Sequence, residues 1–208
     1  MNNHRLPLRR SLLATTGVIG MACAGALFAV PANAATTISF EKGVLKVVGD
    51  AGNNSFTVGR TPAGVITLNG AQVVGGAATV SNVSVVHLEG GAGNDTLRFD
   101  EANGPMPKGE FLGGDGRDAF KGGSAADTLI GGAGIDRGTG GLGDHTVSLG
   151  DDADEFTWNV GDGNDHVDAG AGTDTLLFNG NDSRDIVIVS GAPSGRASVG
   201  SFTAPLER

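Results

Sequence analysis

Aspartate returns at a fixed interval through the middle of this chain, in a pattern that suits the binding of hard cations. Nonapeptide frames begin at Gly90, Gly113, Gly122, Gly131, Gly140, Leu149, Val160 and Ala169. The sixth frame position is aspartate in seven of these eight copies, namely Asp95, Asp118, Asp127, Asp136, Asp154, Asp165 and Asp174. Carboxylate oxygens are ligands that Ca2+ prefers, so the spacing predicts a series of calcium sites.

The rest of the frame predicts how these aspartates are positioned. Each copy approximates G-G-x-G-x-D-x-U-x, where U is a large apolar residue. The glycines supply positive φ angles for a tight turn, and x-U-x predicts a three-residue strand with one inward side chain. The apolar position holds Leu97, Phe120, Leu129, Val147, Phe156, Val167 and Leu176. Such a period over many copies is the signature of a repeat architecture.

Residues 90–98 and 113–177 resemble the hemolysin-type (RTX) calcium-binding nonapeptide repeats. The resemblance implies an all-β protein that folds as a right-handed parallel β-roll or β-solenoid. In that fold two nonapeptides complete one coil, and several Ca2+ ions lie between successive turns on each side. The metal residues that we predict are the seven aspartates named above together with Gly113 and Gly131, whose turns expose backbone carbonyls.

The geometry of such a roll supports a calcium ladder independently of the resemblance. Turns on one side recur every 18 residues and stack one strand spacing apart, about 4.8 Å. Two carboxylates about 5 Å apart repel by roughly 3 kcal/mol at an effective dielectric of about 20. A Ca2+ ion between two turns reaches both carboxylates at about 2.4 Å. The alternative is a metal-free solenoid, because glycine and aspartate are also good turn residues.

The departures from the frame predict that the two sides of the roll differ. One side carries Asp118, Asp136, Asp154 and Asp174, whereas the other carries Asp127, His145 and Asp165. Imidazole is a poor ligand for calcium, which takes oxygens, so His145 predicts a lost site rather than a change to zinc. The first side should therefore hold the tighter ions. A run of acids from Asp151 to Glu155 is either a solvated turn or an additional ligand.

Residues 1–34 predict a cleaved export signal and therefore a secreted protein. Arg5, Arg9 and Arg10 precede an apolar run at residues 12–30, and an A-x-A sequence ends at Ala34. Glycines and Pro31 interrupt the run, which disfavours a membrane anchor. The arginine pair leaves the choice between general and twin-arginine export open. Because the only cysteine lies inside this segment, the mature protein would have no disulfide.

The charge of the chain disfavours anionic partners. Removing the three arginines of residues 1–34 from 14 basic residues leaves 11 against 23 acids, a net charge of −12. Residues 90–177 alone hold 17 acids and 5 bases, so the excess belongs to the repeats. We therefore expect no nucleic-acid partner, and no membrane association after signal cleavage.

The segments on either side of the repeats predict caps. Residues 35–89 alternate short apolar runs with glycine or asparagine turns, and residues 49–57 fit the frame with Asn54 at the aspartate position. We interpret this segment as a degenerate end of the same solenoid, since terminal repeats cover the open core. The predicted organisation is thus a signal at 1–34, a cap at 35–89, calcium-binding repeats at 90–177, and a C-terminal strand and tail at 178–208.

The sequence does not favour an enzyme. It contains neither H-E-x-x-H nor G-x-S-x-G, and fewer than 60 residues separate the predicted signal from the first repeat. The interpretation is a secreted calcium-binding protein with a structural or cell-surface role. The alternative is an adhesin fragment or accessory module that binds a polysaccharide or a partner surface. Trp158 is the only strong aromatic candidate for such a contact.

Overall fold

The computed structural model describes residues 36–74 and 77–180, together with strands at Ile186–Gly191 and Ala197–Phe202. The predicted export signal lies outside these residues. Every element assigned within the described residues is a β-strand, which confirms the all-β prediction. Those residues include no helix of sufficient length and apolarity to cross a membrane.

The strands form two sheets. In spatial order, sheet A contains β1 (Thr37–Glu41), β2 (Val44–Val48), β6 (Val85–Ala92), β8 (Lys108–Asp115), β10 (Thr128–Ala133), β12 (Thr146–Asp151), β14 (Asp165–Asp168), β17 (Ala197–Phe202) and β16 (Ile186–Gly191). Sheet B contains β15 (Thr175–Asn179), β13 (Glu155–Asn159), β11 (Arg137–Thr139), β9 (Ala119–Lys121), β7 (Thr96–Asp100), β3 (Ser55–Arg60), β4 (Ile66–Leu68) and β5 (Ala71–Gln72).

The chain winds alternately through the two sheets as a β-solenoid of about five turns. Each coil places one strand in sheet A and the next in sheet B, and equivalent strands of successive coils pair in parallel. Phe111, Leu129 and Val147 lie side by side in sheet A, at the 18-residue interval predicted for a roll. The two-residue insertion at Trp158 and Asn159 lengthens the next interval to 20.

The inward apolar positions of the two sheets form one continuous core. All the predicted inward residues from Leu97 to Val167 are buried, and Leu176 at the last coil packs partly against them. Gly138 replaces a large apolar residue in this row. A Cβ atom there would lie 3.2 Å from the ring of Phe156, which is its register partner in the next coil. The Phe156 ring therefore fills the space that Gly138 leaves.

The predicted three-residue strand is correct for β9 and β11 of sheet B and wrong for β7, β13 and β15 of the same sheet, which contain five residues each. β9 and β11 each contain three residues, whereas β8, β10 and β12 contain six to eight. The longer strands continue through the first three frame positions, and Gly114, Gly132 and Gly150 at the second position pair across three coils. Glycine allows these backbones to pair because no side chain separates them.

The ends of the solenoid depart from the regular coil. β1 pairs with β2 in an antiparallel arrangement, and β4 and β5 form an antiparallel extension of sheet B after β3. At the other end, β16 and β17 form a hairpin that joins sheet A through β14. Strands were predicted from the apolar runs of the sequence at β1, β2, β4, β16 and β17, and β5 was not predicted. The domain boundaries themselves remain a prediction.

Candidate functional site

The sixth frame positions lie at the turns between the sheets, and they form two rows along the solenoid. The first edge comprises the turns that lead from sheet A to sheet B, with Asn54, Asp95, Asp118, Asp136, Asp154 and Asp174. The second edge comprises the turns that lead back to sheet A, with Asp127, His145 and Asp165. This division agrees with the alternation predicted from the sequence.

Each first-edge carboxylate is fixed by a backbone hydrogen bond from the coil before it. The N–H of Asp118 donates to Oδ1 of Asp136 over 2.8 Å, and the N–H of Asp136 donates to Oδ1 of Asp154 over 2.7 Å. The same contact joins Asn54 to Asp95 (2.6 Å), Asp95 to Asp118 (2.7 Å) and Asp154 to Asp174 (3.0 Å). The row is therefore a continuous ladder in which every aspartate holds two coils together.

The second carboxylate oxygen has no such partner. Within the described residues, Oδ2 is buried and accepts no hydrogen bond at Asp95, Asp118, Asp136, Asp154 and Asp165. The four first-edge members of this set are each at most 1 % exposed. A buried carboxylate oxygen without a donor is costly, so each of these atoms marks a place where a positively charged partner would stabilise the fold.

The glycines at the first frame position line the space around these oxygens. A Cβ atom on Gly113 would lie 2.2 Å from Oδ2 of Asp118 and 2.7 Å from the carbonyl oxygen of Gly131. A Cβ atom on Gly131 would lie 2.3 Å from Oδ2 of Asp136 and 2.2 Å from the carbonyl oxygen of Leu149. Any side chain would therefore fill a small space that is lined by a carboxylate and a carbonyl of the next coil.

The donor set fits a calcium ion better than a transition metal. No group of three or more His, Cys, Asp or Glu side chains converges on one point between residues 36 and 180, apart from the undescribed 75 and 76. A cation at the first edge would thus take carboxylate and backbone carbonyl oxygens. An all-oxygen set of this kind suits Ca2+, which accepts 6–8 oxygens in flexible geometry.

Burial changes the acidity of the ladder in the same direction at every coil. It raises the pKa of Asp136 to about 7; the hydrogen bond from the Asp118 N–H opposes this rise, and the charges of Asp118 and Asp154 add to it. Burial likewise raises the pKa of Asp95, Asp118 and Asp154. The metal-free ladder therefore holds carboxylates that resist ionisation, as expected of a site that requires a cation.

On the second edge, the carboxylate of Asp127 has different hydrogen-bond partners from the carboxylates of the first edge. Both oxygens of Asp127 accept backbone hydrogen bonds, Oδ1 from Gly109 over 2.6 Å and Oδ2 from Gly123 over 2.8 Å. Asp127 therefore lacks the unpartnered oxygen of the other buried aspartates, although the sequence predicted it as a metal residue in the same way. At Asp165, burial raises the pKa to about 7; the His145 N–H opposes the rise, and Asp162 and Asp144 add to it.

The structure explains why His145 is accommodated at an aspartate position. The N–H of Asp127 donates to Nδ1 of His145 over 3.1 Å, so the ring nitrogen takes the place of an aspartate Oδ1. The carboxylate of Asp127 lies farther from this nitrogen, at 3.7 Å, so the N–H is its hydrogen-bond donor. Because Nδ1 accepts, the ring proton is on Nε2, and Nε2 has no lone pair for a metal. The histidine keeps the coil contact and lacks the second, unpartnered oxygen of the aspartates.

Glu101 is an acidic residue of the second edge that the repeat pattern did not identify. Its Oε1 accepts from the Met106 N–H over 2.7 Å and from the Ser124 hydroxyl over 3.1 Å. Burial raises the pKa of Asp127, the backbone N–H groups of Gly109 and Gly123 oppose this rise, and the charge of Glu101 adds to it. Glu101 lies between frames, where no periodic signal exists.

Trp158 does not form the exposed aromatic surface that an adhesin would use. The side chain is 1 % exposed, and its ring stacks on Phe178 with centroids 4.7 Å apart. The indole N–H donates to the carbonyl oxygen of Gly163 over 2.9 Å. The two-residue insertion therefore extends the core of the last coils.

Comparison with known proteins agrees with this geometry. The family model of the RTX calcium-binding nonapeptide repeat matches in 4 copies, at residues 87–103, 112–147 and 159–187. No curated protein and no solved structure matches the chain. The matched residues include four of the five aspartates with an unpartnered Oδ2, and Asp154 lies between two matched ranges. The chain therefore contains RTX calcium-binding nonapeptide repeats at these residues.

Proposed function

We propose that this protein binds several Ca2+ ions along the first edge of its β-roll and that these ions stabilise the stacked coils. The proposal is supported chiefly by the repeated, buried and unpartnered Oδ2 atoms of Asp95, Asp118, Asp136 and Asp154. In each case a coil-to-coil hydrogen bond already uses Oδ1, so Oδ2 is the oxygen available to a cation. Gly113 and Gly131 contribute carbonyl oxygens to the same spaces.

The role that we propose is structural and extracellular. Residues 90–177 hold 17 acids against 5 bases, and extracellular calcium is abundant enough to occupy sites of modest affinity. The export signal predicted at residues 1–34 supports secretion. No catalytic role is proposed, because the sequence motifs that would suggest one are absent. A polysaccharide or cell-surface partner remains a prediction, and the burial of Trp158 removes the residue that favoured it.

Isothermal titration of the full chain with CaCl2 tests the proposal. We expect saturable binding of more than one ion, and a weaker response to MgCl2 because Mg2+ requires a stricter octahedral geometry. Asp136→Ala should reduce the number of bound ions, since Asp136 lies between two neighbouring coils of the ladder.

The matched control is Asp115→Ala. Asp115 is an exposed acid of the same first-edge turn as Asp118, so the control removes equal charge without removing a buried ligand. A chain that binds no calcium, or equal losses in the Asp136 and Asp115 variants, would contradict the proposed sites.

A further inference from the structure

Asn54 occupies the aspartate position in the first coil, where its side chain makes contacts that no aspartate can make. Its backbone N–H donates to Oδ1 of Asp95 over 2.6 Å, so Asn54 belongs to the first-edge ladder. Its amide Nδ2 donates to the carbonyl oxygen of Gly52 over 2.5 Å. The same nitrogen lies 3.3 Å from the carbonyl oxygen of Gly90 and 3.4 Å from that of Asp50. Three carbonyl oxygens therefore surround one nitrogen.

The amide nitrogen lies where the aspartate coils place the unpartnered oxygen. A Cβ atom on Gly49 would lie 2.7 Å from Nδ2 of Asn54 and 2.3 Å from the carbonyl oxygen of Gly90. In a later coil, a Cβ atom on Gly113 would contact Oδ2 of Asp118 and the next carbonyl in the same way. The two spaces have the same walls, and only the atom at the centre differs.

We infer that the Asn54 amide takes the place of a cation, so that the first coil closes without metal. The inference rests on the proposed function, because it compares the first coil with the aspartate coils that we propose bind calcium. Carbonyl oxygens that converge on one point need either a cation or hydrogen-bond donors. In the first coil the N–H groups of Asn54 supply those donors, and the side chain brings no negative charge. The coil of β2 and β3 is therefore a metal-free platform on which the Asp95 coil stacks.

The first test is hydrogen exchange of the full chain in EDTA, read by mass spectrometry. We expect the amides of β2 and β3 to remain protected in the wild-type chain, while those of β9 and β11 exchange faster than in calcium. Asn54→Asp should lower the protection of β2 and β3 by about tenfold or more, because it places an unpaired carboxylate against the three carbonyls. Adding CaCl2 should restore that protection.

The second test is the calcium stoichiometry of the same variants. Asn54→Asp should bind one more Ca2+ ion than the wild-type chain. The control is Asn53→Asp, which adds the same charge at an exposed neighbour and keeps the side-chain oxygen that accepts from the Asn94 N–H. This control should match the wild-type chain in both measurements.

The outcomes separate this inference from the proposed function. A wild-type chain without bound calcium would contradict the proposed function. The inference would be contradicted if Asn54→Asp kept wild-type protection in EDTA, or if calcium did not restore the protection that this variant loses. Equal changes in Asn53→Asp would also contradict it. Asn54→Ala completes the set, since it removes the donors without adding charge and should also lose protection in EDTA, but without rescue by calcium.

Discussion

At the scale of the residue, the two oxygens of each first-edge carboxylate have different surroundings. Oδ1 accepts a backbone N–H from the preceding coil, as in Asp136 over 2.8 Å, whereas Oδ2 is buried without a donor. The periodicity of the sequence predicted a carboxylate at each of these turns. It did not predict the coil-to-coil hydrogen bond, because that contact depends on which way the side chain turns at the end of the strand.

The substitution Asp136→Asn tests the roles of the two carboxylate oxygens separately. Asparagine keeps an acceptor for the Asp118 N–H and replaces the charged oxygen by an amide donor, as Asn54 does in the first coil. In EDTA this variant should be at least as stable as the wild-type chain. Asp136→Ala should lower the free energy of unfolding by about 1.5–3 kcal/mol, because it removes a hydrogen bond to a charged group. Urea unfolding in EDTA measures the difference. Equal destabilisation of both variants would show that Oδ1 has no structural role.

His145→Asp should add calcium binding on the second edge. The substitution restores an oxygen between Asp127 and Asp165, and its Oδ1 keeps an acceptor for the Asp127 N–H that now donates to Nδ1. In EDTA the same variant should be less stable, because a further carboxylate is buried near two others. Calorimetric titration beside the wild-type chain measures the number of ions. Weaker calcium binding would mean that the assignment of frames to the second edge is wrong.

At the scale of the element, the turns of the two edges have different backbones. On the first edge the second and fourth frame positions both have positive φ, as at Gly114 (113°) and Gly116 (138°). On the second edge the fourth position is held by Ala125, whose φ is not positive. This difference explains why alanine replaces a turn glycine there. The sequence predicted unequal edges from His145 alone, and the backbone adds a second reason.

Asp152 is the one non-glycine residue at a fourth frame position of the first edge, and it adopts a φ of 81°. Aspartate tolerates this left-handed region better than most residues, yet glycine has no such cost. We expect Asp152→Gly to stabilise the chain by about 0.5–1 kcal/mol in thermal or urea unfolding. Asp151→Gly is the control: Asp151 lies in β12, where glycine should destabilise by a similar amount. Destabilisation by Asp152→Gly would contradict the strain assigned to this turn.

At the scale of the whole molecule, the regular coils were predictable and the irregular ones were not. The frame predicted the 18-residue interval and the inward row of apolar residues, because both follow from one period. Successive first-edge positions are instead 41 residues apart from Asn54 to Asp95, and 23 apart from Asp95 to Asp118. The additional residues form the β4–β5 extension and the loop that carries Glu101. Such insertions leave the period unchanged on either side, so their structures give no periodic signal.

Metal-free stability should fall as pH rises through about 7. Burial raises the pKa of Asp136 and Asp165 to about 7 from 3.8, so the folded chain binds more protons than the unfolded chain between these values. The stabilisation is complete below the unfolded pKa and is lost as pH rises through the folded pKa. In EDTA the melting temperature should therefore be higher at about pH 5.5 than at about pH 8. A melting temperature that rises with pH in EDTA would contradict the burial of these carboxylates.

Calcium should reverse this dependence, because the ion competes with protons for the same oxygens. Apparent calcium affinity should increase as pH rises through about 7, and titrations at two pH values measure it. A calcium affinity that does not change with pH would indicate that the ions bind carbonyl oxygens alone.

The most direct test of the central claim is the circular dichroism of the full chain in EDTA and in millimolar CaCl2. Calcium that binds the folded coils and not the unfolded chain stabilises the folded state by mass action. Without calcium, the unpaired buried carboxylates oppose coil formation. The calcium-binding roll predicts a gain of β signal and a higher melting temperature on adding Ca2+. An identical spectrum and melting temperature in EDTA and in calcium would contradict it.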